Sequence, residues 1–269
     1  MIKRVLIANR GEIALRIQRT CRELGIETVA VYSDPDRNAL HVRQADYAVR
    51  IGPGPALESY LVIDHIIEAA RATGADAIHP GYGFLSENPR FVEACDAAGI
   101  TFIGPSAAAM RALGGKVSAR RLMEAAGVPI VPGANDISAD DFATAEREAA
   151  RIGFPLLVKA SAGGGGRGIR LVRRSEDLQD AMRASGAEAA SSFGDATIFL
   201  EKYVSPARHI EVQIVADAHG NVRAFGEREC SIQRRNQKLV EEAPSVAVTP
   251  AIREQICAAA VAAARSCGY

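Results

Sequence analysis

The chain has 269 residues with 32 Lys and Arg, 32 Asp and Glu, and a formal charge of zero at pH 7, and 48% of its residues are hydrophobic. This balance gives no overall electrostatic case for nucleic acid or an anionic membrane as a partner, and the composition excludes a disordered or collagen-like chain. No run approaches the roughly 18 consecutive apolar residues of a membrane span. We therefore expect a soluble globular protein with no nucleic-acid or membrane partner.

The number and spacing of the cysteines indicate the cellular compartment. There are five, an odd number, and none forms a Cys-x-x-Cys pair: Cys21, Cys95, Cys230, Cys257 and Cys267. This pattern argues against a disulfide scaffold and against a thiolate metal site. A strand-like run begins at Arg4, which leaves no room for a targeting peptide after Met1. The expected location is the cytoplasm.

Short β-rich runs alternate with amphipathic stretches over the first hundred residues. The predicted strands are Val5–Ala8, Thr28–Tyr32, Ala75–His79 and Thr101–Ile103. The predicted helices are Gly11–Leu24, Tyr60–Ala72 and Asn88–Ala98. Strands separated by helical patterns of this length imply βαβ units, so the expected fold class is α/β with an open parallel sheet.

Two further regions follow a predicted helix at Lys116–Ala126. The first is a compact α+β unit, with helices Ala139–Ile152 and Glu176–Ala190 and strands Phe154–Lys159, Ile169–Val172 and Thr197–Glu201. The second begins at Tyr203. Its predicted elements are the strands His209–Val215 and Val222–Glu229 joined by a hairpin at Asp217–Asn221, a further strand near Ser231–Leu239, and the helix Pro250–Ser266.

The loop 161–168 is the most specific local signal. It lies between two predicted strands and holds Gly163, Gly164, Gly165, Gly166 and Gly168. Glycine there has the largest backbone entropy cost and no side chain to pack, so packing does not explain the run. Backbone N–H groups of such a loop can close over phosphate oxygens, and Lys159 before it adds the cation that a triphosphate requires. The alternative interpretation is a flexible hairpin tip.

Other charged positions admit two interpretations each. Lys116 opens a helix after two glycines, either near a phosphate or as a solvated lysine. Glu201 and Lys202 end a strand, either as a hinge beside an adenine edge or as an ordinary charge pair. His209, Glu211 and Gln213 share one strand face, which is either a site or the solvated side of the sheet.

Two longer segments also admit two interpretations each. The segment 227–242 is dense in both charges, as expected either of a small-oxyanion site or of an exposed edge strand whose charges block aggregation. The loop His79–Asn88 follows a strand, which is the usual ligand position in doubly wound sheets. It is equally compatible with a tight turn in which Ser86 is the N-cap of the next helix.

Taken together, these segments resemble the biotin carboxylase component of biotin-dependent carboxylases, a member of the ATP-grasp superfamily. The resemblance rests on five segments in the family's order and spacing: Ile7–Ala14, His79–Asn88, Lys159–Gly168, Glu201–Tyr203, and Cys230–Lys238 with Glu241–Pro244. It implies a Rossmann-like domain at 1–115, a connecting helix at 116–130, an ATP-grasp lid at 131–203 and the start of the ATP-grasp C-terminal domain at 204–269.

The resemblance also implies a reaction. Biotin on a carrier protein would be carboxylated with ATP and bicarbonate through carboxyphosphate, with Mg²⁺ or Mn²⁺. The implied partners are a biotin carboxyl carrier domain, a carboxyltransferase subunit or domain, and a second copy in a homodimer. An anion must attack an already highly charged nucleotide in this reaction, so cations must hold the phosphates.

Residue roles follow from the same resemblance. Lys238 would help to hold bicarbonate as the catalytic residue. The ATP-binding residues would be Lys116, Lys159, Gly163, Gly164, Gly165, Gly166, Gly168, Glu201, Lys202, Val204, His209, Gln233 and Asn236. A homodimer interface would use Arg16, Arg19 and Glu23.

Two departures from the family qualify this interpretation. Many members carry His where this chain has Asn236, and the Asn form resembles propionyl-CoA-type or urea-type carboxylases. In the family, the metal-binding glutamates lie beyond the position of Tyr269, so no metal ligand is expected within the chain and no turnover from it alone. The alternatives are another ATP-grasp carboxylate-amine ligase or carbamoyl-phosphate-synthetase-like enzyme, and a non-catalytic nucleotide-binding or assembly module.

Overall fold

The computed structural model describes residues 2–160, 169–193, 196–234 and 237–269. Apart from the last two residues, the chain divides into a first unit of residues 1–111 and a second unit of residues 112–267. Each unit has its own sheets and its own hydrophobic core.

The first unit is built on a parallel sheet. Its strands are β1 (Arg4–Ile7), β2 (Glu27–Ser33), β3 (Tyr47–Gly52), β4 (Ala77–His79) and β5 (Thr101–Phe102). The helices that follow them are α1 (Gly11–Glu23), α2 (Leu40–Arg43), α3 (Ile63–Thr73), α4 (Pro89–Ala97) and α5 (Ala107–Gly114), the last of which crosses the boundary between the units. The strand order is β3-β2-β1-β4-β5 and every pairing is parallel, which confirms the predicted α/β class.

Helices cover both faces of this sheet, so the middle residues of its central strands are apolar and buried on both faces. On β1, Val5 and Ile7 pack with Ile17 of α1, whereas Leu6 packs on the other face with Ile66 of α3 and Phe91 of α4. Phe91 is fully buried. Burial of each such side chain is worth about 2 kcal/mol, which is why this alternation fixes the sheet between the helices.

Gly52 at the end of β3 cannot carry a side chain. Its φ of 147° lies in the region that favours glycine, and a Cβ added there would overlap the Glu58 carbonyl oxygen of the next turn. We expect Gly52→Ala to lower the free energy of unfolding by about 2 kcal/mol or more, because strain and steric overlap add. Urea denaturation followed by circular dichroism measures this. Gly83→Ala is the control, because its φ of 67° is also positive but nothing lies within 4 Å of an added Cβ.

The second unit has two antiparallel sheets. Its strands are β6 (Gly133–Ser138), β7 (Leu156–Ala160), β8 (Arg170–Val172), β9 (Thr197–Lys202), β10 (Ile210–Ala216), β11 (Val222–Arg234) and β12 (Gln237–Glu242). Its helices are α6 (Lys116–Ala125), α7 (Phe142–Ile152), α8 (Leu178–Phe193) and α9 (Pro250–Ser266). One sheet has the order β6-β9-β7-β8 and the other the order β10-β11-β12.

The four-stranded sheet packs on helices α7 and α8. Leu156 and Val158 of β7 and Leu200 of β9 are fully buried with Ala149 of α7 and Met182 of α8. Along β7, buried Leu156, Val158 and Ala160 alternate with half-buried Leu157 and Lys159, as expected of a sheet with one face on the core, and Glu201 of β9 is paired with Leu157. Lys159 and Glu201 therefore lie on the face away from this core.

The predicted hairpin at Asp217–Asn221 is confirmed, with the Asp217 N–H donating to the Asn221 carbonyl at 3.1 Å. The separate strand predicted near Ser231–Leu239 is wrong. Strand β11 continues through Ser231 to Arg234, and β12 begins only at Gln237. A 13-residue strand whose pairings contain three register shifts has no simple alternation, so its end was not visible in the sequence.

No helix within the described ranges is long and apolar enough to cross a membrane.

Candidate functional site

A cluster of charged side chains lies on one face of the three-stranded sheet. Glu211 of β10 accepts hydrogen bonds from Lys238 of β12 at one carboxylate oxygen and from Arg228 of β11 at the other. Arg228 also bonds Glu241 of β12, at 2.8 Å. The register explains the convergence, because Glu211 is paired with Arg228 and Gln233 is paired with Lys238 across neighbouring strands. One carboxylate therefore anchors two cations. We use the name Glu211 cluster for Glu211, Arg228, Lys238, Glu241 and His209.

The two cations change the acidity of Glu211. Hydrogen bonds from Lys238 and then Arg228 lower its pKa to about 2. The carboxylate is consequently ionised at every physiological pH, and Lys238 and Arg228 keep an ionised partner. An anion that enters this face meets two fixed donors whose positions are set by the sheet.

His209 lies at the edge of the same cluster. Its Nδ1 is 2.8 Å from Gln233 Nε2, and its Nε2 is 3.3 Å from a carboxylate oxygen of Glu211. Gln233 Nε2 also donates to the Cys230 carbonyl at 2.8 Å, which fixes the orientation of the amide. An amide nitrogen only donates, so Nδ1 accepts this bond, and Nε2 is the ring nitrogen that faces Glu211.

An open pocket of about 430 Å³ lies next to His209. Its lining residues are Ala207, Arg208, His209, Ile210, Ser231 and Gln233. The lining combines a guanidinium, an imidazole, a hydroxyl and an amide with apolar surface. This is the kind of lining that suits a polar ligand with hydroxyl groups.

The second group of predicted site residues lies on the four-stranded sheet. Lys159 at the end of β7 is bonded to Glu201 of β9, and its ammonium lies 5.5 Å from the centroid of the Phe199 ring. Lys202 points elsewhere, since its ammonium donates to the carbonyls of Gly153 and Phe154 at 3.1 and 2.9 Å. The Val204 side chain is exposed. Lys159 and Glu201 are therefore brought together, while Lys202 holds the turn before β7.

Some predicted site residues fall outside the described residues. These are the glycine loop with Gly163, Gly164, Gly165, Gly166 and Gly168, together with Asn236. Lys116 is the first residue of α6, as predicted, but its side chain is also outside the described part. Lys159 is followed by a single described residue, Ala160, before the glycine loop.

The residues expected at a dimer interface form one exposed face of α1. Arg16, Arg19 and Glu23 are spaced three and four apart and all three are exposed. Their neighbours Ile17 and Cys21 turn into the core instead. A charged exposed face of this kind is compatible with an interface and with plain solvent exposure.

In the first unit, the loop at His79–Asn88 is bonded to the loop after β1. Asn9 is buried, and its amide donates to the carbonyls of Pro80 and Tyr82 at 2.8 and 2.7 Å. The Tyr82 hydroxyl bonds Glu12. The alternative in which Ser86 is the N-cap of α4 is wrong. Asn88 caps that helix by accepting from the Arg90 N–H at 2.9 Å, because Pro89 occupies the first helical position.

Sequence reasoning missed several members of these groups. Glu211 was seen only as one of three polar residues on a strand face, and Arg228 and Glu241 only as part of a charged segment. The signal that could have identified them was the strict alternation of Glu227, Arg228 and Glu229, which places Arg228 alone on the Glu211 face. Gln213 was expected with His209 and Glu211, but its amide donates to the Ile214 carbonyl at 3.0 Å.

Two known families together match almost all residues of the chain. Residues 1–110 match the family described as biotin carboxylase, N-terminal domain. Residues 115–269 match the family described as carbamoyl-phosphate synthase L chain, ATP binding domain. The second match covers more than half of the chain.

Individual relatives point the same way. The chain is 54% identical over 269 residues to biotin carboxylase 1 of Bacillus subtilis, covering all of this chain and 60% of that protein. A biotin carboxylase–β,γ-ATP complex from Campylobacter jejuni has a TM-score of 0.90 at 48% identity, covering 100% of this chain and 60% of the other. The biotin carboxylase domain dimer of the Hydrogenobacter thermophilus 2-oxoglutarate carboxylase, in complex with MgADP, ADP and bicarbonate, has a TM-score of 0.87 at 50% identity, with coverages of 100% and 59%.

Proposed function

The chain belongs to the carbamoyl-phosphate synthase L chain ATP-binding domain family, and from that premise we propose that it provides the ATP- and bicarbonate-using part of a biotin carboxylase. It spans between 36% and 60% of the length of the curated relatives that it matches. The activity of the whole protein is accordingly part of this proposal. The observation that carries it is the Glu211 cluster, in which Lys238 and Arg228 are fixed beside the pocket of His209 and Gln233.

The proposed reaction has two steps. A bicarbonate oxygen attacks the γ-phosphorus of ATP, the bond to the β–γ bridging oxygen breaks, and ADP leaves with formation of carboxyphosphate. Carboxyphosphate then releases phosphate, and its CO₂ bonds to a ureido nitrogen of biotin on a carrier protein as that nitrogen gives its proton to the released phosphate. The first step brings two anions together, so fixed cations lower its barrier most.

Individual roles follow for residues that the structure describes. Lys238 holds bicarbonate by its ammonium, and Glu211 keeps that ammonium in place. Lys159, held by Glu201, contacts the phosphates, and His209 with Gln233 meets the ribose hydroxyls. Val204 and the backbone near Lys202 meet the adenine edge. We assign the glycine loop, Lys116 and Asn236 to the same nucleotide by sequence only.

The cofactors proposed are ATP and Mg²⁺ or Mn²⁺, with biotin as the carboxyl acceptor. The cationic donors at Lys159, Arg228 and Lys238 suit phosphate and bicarbonate oxygens. Within the described ranges, no group of three or more His, Cys, Asp or Glu side chains is placed to hold a metal ion. No step above depends on a metal ligand.

The match of residues 1–110 favours this function over a carbamoyl-phosphate-synthetase-like enzyme, because that match is to a biotin carboxylase domain. Assaying the intact protein with biotin and with amine acceptors separates the two. The domain division proposed is a Rossmann-like domain at 1–115, a connecting helix at 116–130, a lid at 131–203 and the beginning of a C-terminal domain at 204–269.

Partners and compartment complete the proposal. A biotin carboxyl carrier domain, a carboxyltransferase and a second copy of the chain are the proposed partners, the last through Arg16, Arg19 and Glu23. The dimer of the Hydrogenobacter relative supports the homodimer. All five cysteines are unpaired thiols, which supports a reducing cytoplasm.

The test of the nucleotide site is Lys159→Gln. We expect the dissociation constant for MgATP to rise about tenfold, because a charge-assisted bond to phosphate is lost. Isothermal titration calorimetry on the intact protein measures it. Arg174→Gln is the control, since Arg174 is an exposed cation of the same unit that pairs only loosely with Asp177, at 3.4 Å. Equal affinities in wild type and Lys159→Gln would refute the phosphate role, and a wild type that binds no ATP would leave the assembly-module alternative.

A further inference from the structure

Strand β11 carries two buried carboxylates on the face opposite the Glu211 cluster. The side chains of Glu227 and Glu229 are only 1% and 5% exposed. Arg228 between them faces the other way, to Glu211 and Glu241. A buried carboxylate is unfavourable unless its oxygens are bonded, so each of these must have a set of donors.

The two carboxylates bond to different parts of the unit. Glu227 accepts two bonds from Arg253 of helix α9, at 2.6 and 2.7 Å, and one from the Ser245 N–H at 3.2 Å. It therefore fastens the sheet to α9. Glu229 accepts from the Ser245 hydroxyl, from Arg208 at 2.5 Å and from the Ser231 hydroxyl at 3.0 Å.

The partners of Glu229 reach the pocket beside His209. Arg208 and Ser231 both line that pocket. The Ser231 hydroxyl, while donating to Glu229, accepts the backbone N–H of His209 at 3.0 Å. The His209 carbonyl in turn accepts from the Cys230 N–H at 2.8 Å. The backbone of His209 is thus bonded on both sides, and one of these bonds passes through Ser231 to Glu229.

The ring of His209 is therefore fixed from two directions. Gln233 and Glu211 hold its nitrogens, and the Glu229–Ser231 pair holds its backbone. Glu229 also fixes Arg208. Its bond to the guanidinium keeps that group on the pocket wall, although the Arg208 side chain is 55% exposed. Without that anchor, a long exposed side chain samples many rotamers.

We propose that Glu229 is a positioning residue of the nucleotide site, which sets His209 through Ser231 and holds Arg208 against the pocket that receives the ribose. This proposal rests on the proposed function, in which His209 and Gln233 meet the ribose hydroxyls. Glu229 itself does not touch the ligand. Its effect is specific to the sugar, so it is separable from a general loss of stability.

The experiment compares the affinities of the intact protein for ATP and 2′-deoxy-ATP by calorimetry. We expect the wild type to prefer ATP by about fivefold, the value of one retained hydrogen bond. Glu229→Gln and Ser231→Ala should each bring the ratio of the two affinities close to one. Glu227→Gln is the matched control, because it disturbs an equally buried carboxylate on the same face but touches neither Arg208 nor Ser231. It should keep the preference for ATP.

The possible results distinguish failure of the proposed function from failure of the proposed role of Glu229. If the wild type binds no ATP, the proposed function fails. If it binds ATP but shows no preference, the assignment of the ribose to His209 fails, and the role of Glu229 fails with it. If the wild-type preference survives in both Glu229→Gln and Ser231→Ala, or is lost equally in Glu227→Gln, Glu229 is a structural residue and our proposal is wrong. Thermal melts of all variants confirm that the compared proteins are folded.

Discussion

Lys238→Gln is expected to lower bicarbonate-dependent carboxylation of biotin at least a hundredfold in the intact protein, with MgATP affinity changed less than about threefold. Lys238 is one of two cations fixed on Glu211, and it lies on β12 of the three-stranded sheet, whereas the Lys159 group lies on the four-stranded sheet. Glutamine keeps a donor of similar length but no charge. Steady-state assays of phosphate release and calorimetry with MgATP measure the two effects.

The matched control is Arg223→Gln, which removes an exposed cation from β11 in the same sheet. It should leave both carboxylation and affinity unchanged. Carboxylation at near wild-type rate in Lys238→Gln would show that bicarbonate is held elsewhere. A parallel loss of MgATP affinity would instead place Lys238 in the nucleotide site, and Lys238→Arg, which restores the charge, would then restore binding as well.

Asp36→Asn is expected to be the most destabilising polar substitution in the first unit, lowering the free energy of unfolding by about 2 kcal/mol. The Asp36 side chain is 9% exposed and accepts two bonds from Arg10 at 2.5 Å, one from the Tyr60 hydroxyl at 2.7 Å and one from the Ser33 hydroxyl at 3.3 Å. Asparagine has one acceptor oxygen and no charge, so it cannot satisfy these donors. Urea denaturation followed by circular dichroism measures the change.

A control lies two residues away. Asp34 also accepts a pair of bonds from an arginine, Arg50, at 2.7 Å, but both side chains are more than half exposed. Asp34→Asn should therefore change stability little, since exposed ion pairs are screened by water and salt. Equal effects of the two substitutions would contradict the view that burial gives the Asp36 network its strength.

The same network predicts how stability depends on pH. Bonds from Arg10 lower the pKa of Asp36 to about 2, and burial with the bond to Asp36 raises the pKa of Tyr60 to about 12. A carboxyl with a depressed pKa stabilises the fold fully above its unfolded pKa of about 4, and this contribution is lost as pH falls towards about 2. The stability difference between wild type and Asp36→Asn should thus be constant from pH 5 to 9 and shrink below pH 4. A difference that grows on acidification would have the wrong sign.

The sequence predicted the elements whose signals are local. Helix α9 was predicted at its observed bounds, because Thr249 caps it by accepting from the Ile252 N–H and Pro250 occupies its first turn. Strands β3 and β6 were missed. Half of the β3 residues are exposed, and β6 begins Gly-Ala-Asn-Asp, so neither strand has an apolar alternation. β3 is formed by pairing with β2, and β6 by pairing with β9. Such edge strands are set by tertiary context, which a single sequence does not show.

The site was predicted unevenly for the same reason. Lys159 and Glu201 were both singled out, but their contact across neighbouring strands depends on the antiparallel register of β7 and β9. Glu229 gave no sequence signal, because its partners Arg208 and Ser245 come from segments on either side of the strand pair. Roles that depend on the type of residue were visible in the sequence, whereas roles that depend on which strands meet required the structure.

The bonds of Asn9 have a consequence for how the first unit is used. In a sheet of order β3-β2-β1-β4-β5, the chain changes direction between β1 and β4, and doubly wound proteins receive their ligands in the crevice at that point. Here the Asn9 amide spans the crevice, and a Cβ added to Gly81 on its far side would lie only 2.8 Å from Asn9 Nδ2. Through these bonds the loop after β1 braces the Tyr82 loop across the point where such sheets receive ligands.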